Sequence, residues 1–336
     1  MKSESKNIHL VKAAFKKQFE VAMIKNGVSA DFYFKKVKLP TVELDPESLL
    51  PLKPFYHLID IVAVNENIPD FGSQVAQTTP WHKVPSLGPV IKNCTDLKNL
   101  LETFCKIASG QSSSVRFKLI ENSSQLSFTY TNVLKFTGDI QMELYRITSM
   151  IQLVQLATSK AWRPETIQLL MPETTTVKAC ALLTNSKIYF SQNVSAISIP
   201  QKLLQLPLHI EIPDKVDLDS PPQADLHTEF PDSIRQIISA YVYNAHCTIE
   251  DIAYIADLSV RTLQRRLTEH GLKFNELLNQ AKFICAKDKL KNSDVAVSEI
   301  AKSLGYSDAA NFSRAFQRWA GVSPRGYREQ CQVIIN

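Results

Sequence analysis

Glycine is scarce in this chain, at 9 of 336 residues. That excludes collagen-like repeats, and with 44% apolar and 21% charged residues it excludes an extended disordered chain as well. A strong charge of one sign is also missing. The formal net charge is only +5, and residues 228–336 hold 14 Lys/Arg against 12 Asp/Glu. Affinity for a polyanion would therefore have to come from local arrangement, not from bulk charge. The six cysteines, Cys94, Cys105, Cys180, Cys247, Cys285 and Cys331, form no C-x-x-C, and the seven histidines lie far apart. Neither a zinc site nor any other cofactor is expected, and scattered reduced thiols fit the pattern. There is no Walker loop, G-x-S-x-G, H-E-x-x-H or dinucleotide fingerprint, so catalysis is not expected. No run of eighteen apolar residues occurs, and MKSESKNIHLVKAAFKKQFE lacks the apolar core and cleavage site of a signal peptide. The expectation is a soluble, cytoplasmic protein with no membrane partner.

What the chain does contain is room for two or three domains and real cores. Residues 8–27 read as a helix stopped by Gly27, and a short helix is expected near Pro46–Leu50. A further helix, with Thr95 as its cap, runs to Ala108 and aligns Leu97, Leu100, Leu101, Phe104 and Ile107. SVRFKLIE and QLSFTYT alternate apolar and polar residues and flank Asn122–Ser124, which predicts a β-hairpin. Residues 139–158 carry apolar side chains nearly all round, the mark of a helix packed on two sides. ETIQLLM and KIYFS read as strands, and PQKLLQ as a short helix with Pro200 at its start. The N-terminal domain, residues 1–211, is thus expected to be α+β with antiparallel pairing. IPDKVDLDSPPQADLHT combines prolines and acids without periodicity, which places a linker at 212–228. In the N-terminal domain Arg116 and Lys118 either meet an anionic ligand or form a solvated strand face. Trp81 and His82, beside Pro80, either line a pocket or pack a loop, and Tyr130 completes the set of effector-binding candidates.

The remaining segment, 229–332, is expected to be all-helical. Two stretches about fifty residues apart have the same pattern, TIEDIAYIADLSVRTLQRRL from Thr248 and SEIAKSLGYSDAANFSRAF from Ser298. Each reads as helix, turn, helix. Thr248 and Asp251 form a capping-box start, Asp257–Leu258 makes the turn, and Ser259 caps the second helix. Ile300–Ala301 answer Ile252–Ala253, and Phe312 and Phe316 answer Leu263 and Leu267. Between the two units, Phe274–Leu290 reads as one amphipathic linker helix. Spacings of three and four put Arg261, Gln264 and Arg265 on one outward face. Arg can bind guanine bidentately and Gln adenine, so this face is suited to a major groove; a solvated face is the alternative. Arg266, Lys273 and Arg318 are candidate phosphate contacts. The second face would show Ala309, Ala310, Ser313 and Arg314, and with fewer hydrogen-bonding groups it is expected to discriminate bases less.

GYSDAANFSRAFQRWAGVSPRGYR, with Gly305, Tyr306, Phe312, Arg314, Phe316, Trp319, Gly321, Pro324 and Arg328, resembles the signature of the AraC/XylS family of bacterial transcription regulators. The resemblance covers about 232–330. It implies two helix-turn-helix units entering successive major-groove segments of promoter DNA, with recognition helices at 260–269 and 308–318. It also implies contact with RNA polymerase, activation more often than repression, and a small-molecule effector or a second copy of the chain at the N-terminal domain. Lys282 and Phe283 stand where the family often has an Arg-Leu pair. The N-terminal helix, hairpin and long helix followed by WRPETIQLLMP are similar to the ligand-binding region of the ornithine-utilisation-regulator-like branch, which carries an arabinose-binding label by distant analogy. A DNA-binding protein whose N-terminal domain only dimerises is the alternative.

Overall fold

The computed structural model describes residues 8–78, 84, 88–122, 124–132, 140–209, 226, 229–242 and 247–335. The chain begins with β1 (Leu10–Lys12), α1 (Ala14–Lys25), α2 (Ala30–Lys36), β2 (Leu49–Pro51), α3 (Lys53–Asn65) and α4 (Phe71–Thr78). Then come α5 (Gly88–Lys92), α6 (Leu97–Ile107), β3 (Val115–Glu121), β4 (Gln125–Asn132) and α7 (Ile140–Gln155). β5 (Thr166–Gln168), α8 (Thr175–Ala179), β6 (Lys187–Tyr189) and β7 (Ser195–Pro200) complete the α+β part. After it the described chain is helical: α9 (Phe230–Tyr241), α10 (Ile249–Ile255), α11 (Val260–Glu269), α12 (Phe274–Asn292), α13 (Val297–Ser303), α14 (Ala309–Ala320) and α15 (Pro324–Ile335).

The predicted hairpin is β3–β4, antiparallel from Val115 opposite Asn132 to Glu121 opposite Leu126. It extends into a five-stranded sheet in the order β3-β4-β7-β5-β6, in which only β5–β6 is parallel. β7, SAISIP, had no sequence expectation. It lies between β4 and β5 and all but its last residue are buried, so period-two alternation is absent. α6 covers the sheet with the five apolar residues expected of it, but its cap is Asp96, whose side chain accepts from the Asn99 N–H at 2.9 Å. Thr95 instead donates its hydroxyl to Asp96. α7 is buried along almost its whole length, as the two-sided apolar pattern predicts. Gly72 lets α4 approach α7 closely: its N–H donates to Gln141 Oε1 at 2.8 Å, and a Cβ there would lie 1.8 Å from the Gln141 carbonyl oxygen.

Two expectations for the start of the chain are corrected. Residues 10–12 form a strand and not the first turn of a helix, and 49–51 form its antiparallel partner and not a short helix. The physical reason is long-range pairing. β1 is bonded on both edges, to β2 on one side and, on the other, by Lys12 N–H to the Gln111 carbonyl and Ser113 N–H to the Leu10 carbonyl. α3 and α4 also escaped the sequence reading. Apolar side chains form two clusters. One surrounds the β-sheet, α6 and α7. The other runs from β1, α1, α3 and α4 without a break into α9–α14. β2 packs against α9, so the two parts of the chain share a core.

Candidate nucleic-acid interface

Each helix-turn-helix unit is fixed by local chemistry. Thr248 and Asp251 make the predicted capping box reciprocally, and Ser259 caps α11 through the Thr262 N–H at 3.1 Å. In the second unit Asp308 caps α14 through the Asn311 N–H at 2.6 Å, and that hydrogen bond holds its carboxyl below the usual carboxylate range. The turns correspond as well. Asp257 and Gly305 both have positive φ, 57° and 75°, and the next residue bonds back to Ala253 or Ala301. Gly321 ends α14 in the left-handed region. Leu263, Leu267, Phe312 and Phe316 are all buried. Burial of side chains of this size stabilises by about 1.5–3 kcal/mol each, so the opposite faces are held outward by what these residues bury.

On α11, Arg261, Gln264 and Arg265 are exposed together. Arg265 is held by Glu269 at 2.5 Å, a pair more than half exposed on both sides, and such pairs release easily to a polyanion. On α14, Ala310 and Arg314 are exposed, and Ala309 and Ser313 are half-buried. Asn311 and Gln317, absent from the sequence-based set, are exposed there too. With Arg314 and Arg318 they line one shallow concavity. The second face is therefore richer in hydrogen-bonding groups than expected. A spacing of three on either side of Arg314 was the signal that could have found both residues.

α12 is 19 residues long, about 28 Å at 1.5 Å per residue. It packs on α9, α13 and α15. The Phe283 ring lies edge-on 5.4 Å from Phe316 and tilted 5.5 Å from Trp319, which places Trp319 in the packing. The Lys282 ammonium lies 4.8 Å over the Tyr306 ring, and burial lowers its pKa. Arg328 donates to the carbonyls of Leu290 and Val295, tying α15 to the end of the linker helix.

Of the phosphate candidates, Lys273 and Arg318 are exposed, Lys273 beside Glu276 at 3.2 Å. Arg266 is corrected. It is 8% exposed, and its guanidinium sits 3.8 Å over the Phe230 ring. Phe230 comes from α9, outside the unit whose helical wheel pointed Arg266 outward. Among the effector candidates, Trp81 and His82 lie outside the described residues. Arg116 bends back to the Ser113 and Val115 carbonyls. Tyr130 is fully buried against Phe117 and the Arg146 guanidinium. These two do not converge on a common pocket, because they lie at adjacent, not opposing, positions of the β3–β4 ladder.

The N-terminal part also grips the first reading unit. Lys38 pairs with Asp251 at 2.5 Å and Lys53 with Asp257 at 3.0 Å, while both ammonium groups lie over the Tyr254 ring, at 5.2 and 4.6 Å. Burial pushes the Asp251 carboxyl up, but hydrogen bonds from Lys38 and Thr248 outweigh it and hold the group below its usual range. The turn that aims α11 is thus also a contact with the other half of the chain.

Residues 252–330 match the helix-turn-helix domain model, and residues 27–208 match the arabinose-binding domain of AraC transcription regulator, N-term. The HTH-type transcriptional regulator VirS of Mycobacterium tuberculosis is 22% identical over 303 residues, 86% of this chain and 87% of its own. An uncharacterized HTH-type transcriptional regulator of the same species is 42% identical over 80 residues, 24% of this chain and 23% of its own. The HTH-type transcriptional activator RhaS of Salmonella newport is 40% identical over 87 residues, 26% of this chain and 31% of its own. The chain therefore spans a third or less of the length of the latter two.

Proposed function

The chain belongs to the AraC family of transcription regulators, and from that premise we propose that it binds promoter DNA sequence-specifically and regulates transcription in response to a small molecule. The observation that carries this is the duplicated reading face, Arg261, Gln264 and Arg265 on α11 and Asn311, Arg314, Gln317 and Arg318 on α14, at the two ends of one linker helix. On this reading residues 1–211 are the effector and dimerisation domain, 229–332 the DNA-binding domain, and 212–228 the linker, which apart from Leu226 lies outside the described residues. α11 and α14 enter successive segments of the major groove, Arg265 reads a base, and Lys273 meets phosphate. The effector acts by biasing how the two heads are presented. The protein works in the cytoplasm as an activator that contacts RNA polymerase, a sign supported by the family resemblance and by activators among its relatives. It needs no catalytic group.

The test is a pair of variants on an identified operator. Arg265→Ala weakens specific binding by about 1–3 kcal/mol and relaxes preference at one position. Lys273→Ala weakens binding to all sequences alike and lowers the salt slope by about one unit. Unchanged affinity and selectivity in Arg265→Ala would mean that α11 is docked differently.

A further inference from the structure

Residues 248–273, which hold the first helix-turn-helix unit, carry no net charge. Four acidic residues, Glu250, Asp251, Asp257 and Glu269, balance four basic ones, Arg261, Arg265, Arg266 and Lys273. Arg266 is buried as well. Such a unit gains little from its own charge when it meets phosphate. Two of the carboxylates also lie where they repel most. In a helix-turn-helix the first helix crosses the phosphate backbone while the N-terminal end of the second enters the groove. Asp251 is on that first helix, α10, and Asp257 is in the turn, two residues before the Ser259 cap of α11.

The N-terminal part cancels both charges. Lys38 reaches Asp251 and Lys53 reaches Asp257, and both ammonium groups lie over the Tyr254 ring. Lys38 stands at a place where glycine is usual. α2 ends with the Leu39 N–H bonded to the Phe34 carbonyl and the Lys38 N–H to the Lys35 carbonyl, and Lys38 has φ 61°. A side chain is strained there, so a cation occupies a position that the backbone alone would give to glycine. The basic row continues away from α10. Lys53 and His57 are one turn apart on α3. His57 is exposed, and burial and the charges of Lys36 and Lys53 lower its pKa, which puts the three groups within electrostatic reach. Lys35 and Lys36, in the last turn of α2, are exposed and pair with no carboxylate among the described residues. Lys36 lies 5.9 Å over the ring of Phe32, itself 58% exposed. The acids of α3 and its end are engaged otherwise: Asp60 is shifted by burial and by no charge of this row, and Glu66 accepts from the Tyr33 hydroxyl.

Resting on the reading that α11 enters a major groove, we propose that this α2–α3 edge is a third DNA-contacting surface, laid along the phosphate backbone that flanks the α11 segment. Lys35 and Lys36 meet phosphates directly. Lys38 and Lys53 neutralise Asp251 and Asp257, so that α10 can lie against the same backbone. The partner is duplex DNA of any sequence, because phosphate contacts supply affinity and orientation and carry no base preference. Two features favour that partner. The edge is a row of cations, complementary to a row of phosphates, and it is continuous with the first reading unit through Asp251, Tyr254 and Asp257.

The experiment uses the full chain on an operator located by footprinting. The parental footprint should run past the two major-groove segments on the α11 side. Lys35→Gln with Lys36→Gln should lower the slope of log K against log salt by about 0.9 per lysine. Binding to the operator and to unrelated DNA should weaken alike, with base preference unchanged. Lys106→Gln with Lys202→Gln removes the same charge from exposed positions beside the five-stranded sheet and should leave the slope at the parental value. Benzoylphenylalanine in place of Phe32 should crosslink to DNA flanking the α11 segment. An unchanged slope in the first pair would mean that Lys35 and Lys36 serve only the end of α2 and would overturn the proposal. An equal fall in both pairs would do the same, since only total charge would then matter. So would a crosslink that is absent or falls beside the α14 segment. A specific parental footprint with any of these results sinks the third surface alone, whereas no specific footprint sinks the regulator reading and the third surface with it.

Discussion

The turn at Asp257 can be dissected by three substitutions, because two separable effects meet there. The first is backbone conformation. At φ 57° a residue with a Cβ is strained by about 1–2 kcal/mol, less for Asp or Asn and not at all for Gly. The second is the ion pair to Lys53, with both side chains 31% exposed, which is worth about 0.5–1 kcal/mol. Asp257→Asn keeps the tolerance for left-handed geometry and loses the charge, so it costs about 0.5–1 kcal/mol. Asp257→Ala loses both and costs about 1.5–2 kcal/mol. Asp257→Gly gains in the turn what it loses in the pair and stays within about 0.5 kcal/mol of the parent, as Gly305 at the same place in the second unit suggests. Urea unfolding followed by tryptophan fluorescence gives the order. A Lys53→Met background then isolates the pair as a double-mutant cycle. If Asp257→Ala proved no worse than Asp257→Asn, the turn would not be left-handed as described. If the cycle returned no coupling energy, the N-terminal grip on the reading unit would contribute nothing.

Three further outcomes are expected. Gly72→Ala must force α4 off α7, and should cost about 3 kcal/mol or more; a melting temperature near the parent's would contradict that helix contact. Burial pushes the Asp60 carboxyl up to about 6 from 3.8. The folded state then holds this proton more tightly than the unfolded chain, so the stability it contributes is full below about pH 4 and is lost as pH rises towards 6. Asp60→Asn should accordingly stabilise at pH 7–8 by about 1 kcal/mol, discounted from the full shift because the group is partly in water, and by nothing near pH 4. An equal effect at both pH values would rule this out. Arg266→Met should lower stability by about 1–2 kcal/mol and leave the salt slope of DNA binding alone; a slope reduced by about one would restore Arg266 as a phosphate contact.

The DNA-reading end was legible because its signals are local. The Thr248–Asp251 box, the Ser259 cap and the buried stripe at Leu263 and Leu267 all act within one or two turns of a helix. The same locality explains Arg266: its position on the wheel was right for the unit alone, and Phe230 from another helix buried it. β1 and β2 were misread for a related reason. Three-residue strands carry no periodicity, and what makes Leu10–Lys12 a strand is pairing with residues about forty and about a hundred positions away. Asn311 and Gln317 were within reach of the helical repeat and needed only the whole outward face of α14 to be counted.

The central claim is tested most directly by footprinting the purified chain, over a salt series, on DNA upstream of its own gene and its neighbours. The account predicts a protected site spanning two successive major-groove segments, about one helical turn apart, that persists at salt concentrations where binding to unrelated DNA is lost. Protection that is sequence-blind and vanishes with added salt at every site would contradict it.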